Sequence, residues 1–200
     1  MLYDEICVIP ENWSTIRLRN SILKLYLDHE PEDVTVAHIC DQARVGRTTF
    51  YYYFPNINHL VNYVYYFDIK ADLDDRHTVN KFKSSTSDSL QLMVEKNYFY
   101  KKALRLKGPD CFRVFLPDFW YNFHKQELMD YYGLKAIDKV VDATLKTSAH
   151  GLMNIIFEWI ESGCTTFSCD EFAEICEEYQ APIVKQMKLD KESKSLHLHS

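Results

Sequence analysis

The chain has 200 residues, 46% of them hydrophobic, and a formal net charge of −6. This is enough apolar material for a sizeable core, while the acidic balance excludes a protein that holds nucleic acid by bulk charge alone. The N-terminus, with Asp4 and Glu5 and no long apolar run, reads as neither a signal peptide nor a membrane span.

Six cysteines, at 7, 40, 111, 164, 169 and 176, lack any C-x-x-C spacing. That pattern reads as a reduced, cytoplasmic chain, and Cys164 with Cys169 as ordinary thiols rather than a redox or metal site. Residues 1–60 carry eight acids against five bases, so non-specific attraction to DNA is expected to be weak, with reliance on local geometry and dimer symmetry.

Residues 1–13 are expected to form a short arm broken at Pro10. Ser14 then opens a helix to about His29 that buries Leu18, Ile22, Leu25 and Tyr26. Arg17 and Arg19 on its outer side fit either phosphate contacts or a solvated face. Residues 30–34 form a loop that contains Pro31 and no glycine. In residues 35–60, Val36, Ile39 and Ala43 recur at steps of three and four, which places them on one face of a helix. The Thr35 hydroxyl stands ready to cap that helix. Arg44, Val45 and Gly46 make a tight joint, and a second helix runs from Arg47 to about Phe54, stopped by Pro55. Together these two segments form a helix-turn-helix.

The second helix turns Phe50 and Phe54 inward, leaving Arg47, Thr48, Thr49, Tyr51 and Tyr52 for the rest of its surface. Those side chains suit a DNA major groove. Arginine reads guanine or holds a phosphate, threonine offers a hydroxyl or a methyl group, and tyrosine donates to phosphate oxygens. No acidic residue interrupts residues 43–66. Asn56 is placed to cap a third helix, whose free N–H groups suit another phosphate. The alternative for the tyrosine run is an aromatic core helix.

The third helix carries Leu60, Tyr63, Val64 and Phe67 and ends near residues 72–75. Residues 77–87 are expected to be a polar loop. One helix is predicted over residues 88–107, ended by Gly108 and Pro109, then a short apolar piece at 111–116 and a helix restarting at Pro117. A turn at Tyr131, Tyr132 and Gly133 precedes a long helix over residues 134–161, with Gly163 as its cap. Ser168 and Glu171 form a capping box that opens the last helix, bearing Phe172, Ile175, Cys176 and Tyr179. Residues 185–200 read as a frayed tail, and His197 and His199 as part of it.

The run T-V-x-x-I-x-x-x-A-x-V-x-x-x-T-F-Y-Y-Y-F-P-N from Thr35 to Asn56 resembles the DNA-binding signature of TetR/AcrR-type bacterial transcriptional regulators. The resemblance extends over roughly residues 14–67. It implies an all-α chain of about nine helices: a DNA-binding domain at 1–55, an effector-binding and dimerisation body at 56–187, and a tail at 188–200. It also implies a bacterial cytoplasmic homodimer joined through helices at 134–162 and 169–186, and a near-palindromic double-stranded operator. The segment G-L-M-N-I-I-F-E-W-I-E-S-G, residues 151–163, is similar to the dihydroxyacetone kinase regulator-like subgroup. Three positions depart from the family pattern: Arg44 for its turn glycine, Gly46 for a capping serine or threonine, and Ile57 for a phosphate-binding lysine.

The expected DNA contacts are therefore Thr35, Arg44, Arg47, Thr48, Thr49, Tyr51, Tyr52 and Asn56. The rings of Tyr98, Phe112, Phe115, Phe119, Trp120 and Phe123 read as core or as the lining of an effector pocket. The principal functional reading is a repressor that senses a small molecule, and the second is a body that binds a protein partner. No enzyme motif, cofactor loop or metal pattern is present to support catalysis. His124 and Glu127, three apart on one helix, read as a solvated pair.

Overall fold

A computed structural model describes residues 3–75, 82–176 and 178, and all regular structure among them is helical. The chain is all-α. Its organising element is α2 (Trp13–Asp28), which packs against α3 (Val36–Ala43), α4 (Arg47–Tyr53), α5 (Ile57–Asp75) and α7 (Asn97–Ala103). Because Leu18, Ile22 and Tyr26 of α2 are fully buried, the same helix serves the head and the body. The apolar core is accordingly continuous, from Ile39 and Phe50 in the head to Phe112 and Ile160 in the body.

Several boundaries differ from those expected. Residues 3–7 of the predicted arm form a short helix, α1, which packs on α5 and on α8 (Phe112–Tyr132). Helix α2 starts one residue early because Asn12, not Ser14, is the cap. Its Oδ1 accepts from the N–H groups of Ser14 and Thr15 at 3.0 and 3.1 Å, and Thr15 Oγ1 accepts from the Asn12 N–H in return. Leu25 is only partly buried. Residues 31–33 make a 3-10 turn begun by Pro31.

The predicted loop at 77–87 is helical from Phe82, where α6 (Phe82–Glu95) begins; residues 76–81 lie outside the described residues. The single helix predicted over 88–107 is two. Lys96 leaves helical geometry at φ −106°, ψ 25°, and α7 sets off in a new direction. The break lets Phe99, Tyr100 and Ala103 bury against α2, and Lys96 Nζ reaches Asp68 Oδ1 of α5 at 2.6 Å. Asp68 Oδ2 also accepts from the Tyr100 hydroxyl at 2.8 Å. Burial and the Asp68 charge push the Tyr100 phenol well above its usual range, so it stays protonated and remains the donor.

Pro117 does not restart a helix but lies inside α8, where it removes one backbone hydrogen bond. Its own burial and that of Phe119, Trp120 and Phe123 beyond it offset that loss. The long helix expected from Leu134 begins instead at Lys139, as α9 (Lys139–Glu161). Gly133 adopts the left-handed conformation that ends α8, with Leu134 N–H bonded to the Met129 carbonyl at 2.8 Å, so the next residues belong to that turn. Asp138 then caps α9 through Val140 N–H at 2.8 Å.

Helix α9 ends at Ser162, with Gly163 just beyond at φ 86°. The last helix, α10 (residues 169–176), opens on the expected capping box: Ser168 N–H donates to Glu171 Oε2 at 2.8 Å, and Glu171 N–H to Ser168 Oγ at 3.2 Å. Residues 177 and 179–200 lie outside the described residues. These include Tyr179, the expected end of the last helix at 186, the tail at 188–200, and His197 with His199.

Candidate nucleic-acid interface

Local chemistry builds the head from its caps inward. Thr35 Oγ1 accepts from His38 N–H at 3.3 Å and starts α3, whose Ile39, Cys40 and Ala43 are buried. The chain reverses at Arg44, which adopts φ 53°, ψ 46°. Val45 N–H closes the turn on the Cys40 carbonyl at 3.0 Å. Gly46 then stands at the N-cap of α4 without a side chain to satisfy the first turn. Asn56 Oδ1 accepts from His59 N–H at 3.1 Å, as expected of the cap of α5.

Burial divides α4 cleanly. Phe50 and the following Phe54 are 0% exposed, while Tyr51 is 55% and Tyr52 80% exposed. Arg44, Arg47 and Thr48 are exposed, Thr49 is half-buried, and Thr35 is exposed at the edge of the same surface. The tyrosine run is therefore not a core helix. Asn56 is half-buried, at the start of α5.

One positioning contact was not read from sequence. Asn12 Nδ2 donates to the Tyr53 hydroxyl at 2.9 Å, pinning the end of α4 to the start of α2. The N-x-x-T spacing at 12–15 signals the cap, but nothing local signals a partner 41 residues away. Arg17 and Arg19 lie along aromatic rings: the Arg17 guanidinium is 4.5 Å from the Trp13 ring centroid, and that of Arg19 is 3.7 Å from Phe67.

Residues 20–64 match the family model of bacterial regulatory proteins, tetR family. The chain belongs to the TetR family. Its fold is that of the solved dihydroxyacetone kinase operon activator DhaS, at 18% identity and TM-score 0.56, over 88% of this chain and 97% of that one. The TetR family repressor AlkX from Dietzia sp. strain DQ12-45-1b is also similar, at 16% identity and TM-score 0.48, over 86% of this chain and 97% of that one. Among curated proteins, no sequence matches the chain. The TetR-type head is that of a DNA-binding transcriptional regulator, and no described helix is long and apolar enough to cross a membrane.

In the body of this TetR-family chain, the rings considered for an effector pocket pack on one another. Phe115 and Phe119 centroids are 5.4 Å apart, Trp120 and Phe123 5.4 Å, and Phe112 lies 5.6 Å from Tyr65. Trp120 Nε1 donates to the Tyr65 hydroxyl at 2.8 Å. Phe112, Phe115, Phe119, Trp120 and Phe123 are buried, and Tyr98 is partly buried at the edge of this core. His124 Nδ1 lies 3.0 Å from Glu127 Oε2, the pairing expected of their spacing, and its ring stacks on Trp120. Cys164 and Cys169 are free thiols, both pushed up in pKa chiefly by burial.

Proposed function

We propose that this chain is a homodimeric repressor whose recognition surface is Arg47, Thr48, Thr49, Tyr51 and Tyr52. Arg44, Thr35 and the Asn56 end of α5 approach flanking phosphates. The observation that carries the reading is the division of α4: its phenylalanines are wholly buried, and the hydrogen-bonding groups beside them face outward. The absence of any acid from residues 43–66 supports it, since no carboxylate there repels DNA. In this reading residues 1–55 form the DNA-binding unit and residues 56–187 the sensing and pairing unit, working in the bacterial cytoplasm.

Pairing is assigned to the helices at 134–162 and 169–186. On α9, Val140 is 73% and Ile155 39% exposed, apolar side chains that a second copy would cover. A two-fold pair sets two recognition helices about 34–36 Å apart, hence a near-palindromic operator. An effector weakens DNA binding only to the extent that it favours a differently spaced pair. At Tyr98, Phe112, Phe115, Phe119, Trp120 and Phe123 it enters by parting rings that now touch. That tight packing favours the second reading, in which the body answers to a protein partner.

The test is selection of binding sites from random duplex DNA by the purified full chain, followed by gel shift on the selected sequence. Arg47→Ala with Tyr51→Ala abolishes the shift while folding stability changes by no more than about 0.5 kcal/mol, the usual range for exposed sites. Unchanged affinity in that double variant overturns the assignment.

A further inference from the structure

Between the end of α8 and the start of α9 lies a cavity of about 260 Å³. Met129, Ala136 and Ile137 give it an apolar lining, and its charged lining is Lys125, Lys135 and Lys139 with Asp142. The carboxylate is already committed: Asp142 Oδ1 accepts from Lys125 Nζ at 2.7 Å and from the Tyr121 hydroxyl at 2.6 Å. Lys125 and Asp142 thus neutralise each other. Lys135 and Lys139 have no ion-pair partner among the described residues, so their charge is left over, on a chain whose net charge is −6.

Both free lysines sit where a folded chain gains least from a cation. Lys139 is the first residue of α9, a helix of 23 residues, and Lys135 precedes it by one turn of chain. The N-terminal end of a helix carries partial positive charge and favours anions. Two ammonium groups there repel that end and each other, and a bound anion relieves both repulsions at once. Asp138 Oδ1 takes the Val140 N–H, and the neighbouring N–H groups of the first turn have no acceptor within the helix.

We propose that this cavity is a binding site for a small organic dianion, a phosphate monoester or short dicarboxylate. Lys135 and Lys139 hold the anionic groups, and Met129, Ala136 and Ile137 cover the carbon chain. The volume corresponds to about eight waters, which limits the ligand to a molecule of a few carbons. The site is separate from the aromatic core and from α4, so binding there stands or falls independently of operator recognition.

Calorimetric titration of the full chain at fixed ionic strength tests it, with inorganic phosphate, succinate and glycerol 3-phosphate as probes and choline as a cationic control. At least one dianion binds saturably, one per chain, and choline does not. Lys135→Gln with Lys139→Gln weakens that binding at least about tenfold, the loss expected from removing charge-assisted hydrogen bonds. Ala136→Trp, which fills the cavity and keeps every charge, also abolishes it, whereas Lys24→Gln with Lys70→Gln leaves it intact. Both lysines of the first pair are exposed, so circular dichroism of that variant matches the parent. Absence of saturable binding by all three anions, or binding that survives Lys135→Gln with Lys139→Gln, overturns the proposal.

Discussion

Asn12 Nδ2 donates to the hydroxyl of Tyr53 at 2.9 Å, although the two residues are 41 apart in the chain. The same Asn12 caps α2 with its Oδ1, so one side chain starts the central helix and fixes the end of the recognition helix. Losing the cap costs about 1 kcal/mol, and losing the second bond about another 1 kcal/mol. Tyr53→Phe should therefore destabilise by about 1 kcal/mol and Asn12→Ala by about 2 kcal/mol in urea titrations. The double variant should be no worse than Asn12→Ala, because the shared bond is lost only once. Additive losses would show that the bond contributes nothing.

Arg44 holds a left-handed conformation, φ 53°, that costs a side-chain-bearing residue roughly 1 kcal/mol. Arg44→Gly removes that strain and should raise stability by up to about 1 kcal/mol, less the extra chain entropy of glycine. Operator affinity should fall in the same variant. If Arg44 meets one phosphate, the slope of log affinity against log salt drops by about 0.9. A gain in stability with an unchanged slope would confine Arg44 to a structural role.

Lys102 joins the head to the body. Its Nζ donates to the carbonyl oxygens of Tyr26 and His29 at 2.8 and 2.9 Å, at the end of α2, with Glu30 Oε1 3.5 Å away. Arg105, one turn on, pairs with Glu30 and with Glu32. Replacing Lys102 by Met leaves those carbonyls without their charged donor, a loss of about 1.5–3 kcal/mol. Hydrogen exchange should then quicken in the last turn of α2 before it does in α9. Equal protection of the last turn in the variant would mean that α7 holds α2 by apolar packing alone.

The Glu171 carboxylate is held below its usual range, first by the Ser168 backbone N–H and then by the Ser168 hydroxyl. A carboxyl whose folded pKa lies below its unfolded one contributes stability above the unfolded value and loses it as pH falls through the folded value. Amides of α10 should accordingly exchange faster as the pH drops below the ordinary glutamate range, about 4.3. Glu171→Gln should remove that pH dependence. If the parent and the variant respond to acid alike, another group governs the opening of α10.

Much of the head could be read from sequence because its signals are local. Thr35, the 36–39–43 spacing and Pro55 each act within a turn or two of backbone, and the observed helices begin and end where those residues place them. The Ser168 and Glu171 box is legible for the same reason. The residues chosen for DNA lie on one accessible surface because their alternation with Phe50 and Phe54 follows the helical period.

What remained was settled by distant parts of the chain meeting. No local signal ends a helix at Lys96; α7 turns there to bury Tyr100 and bring Lys96 to Asp68, partners 28 and 32 residues away. Pro117 would ordinarily open or interrupt a helix, yet α8 runs through it because the rings beyond it are buried. Composition likewise left the aromatic cluster open between lining and core. The sequence by itself determined an all-helical chain with a TetR-type head, since caps and periodicity act at short range. Tertiary packing alone decided that the rings touch one another, that α9 waits for Asp138, and that Asn12 reaches Tyr53.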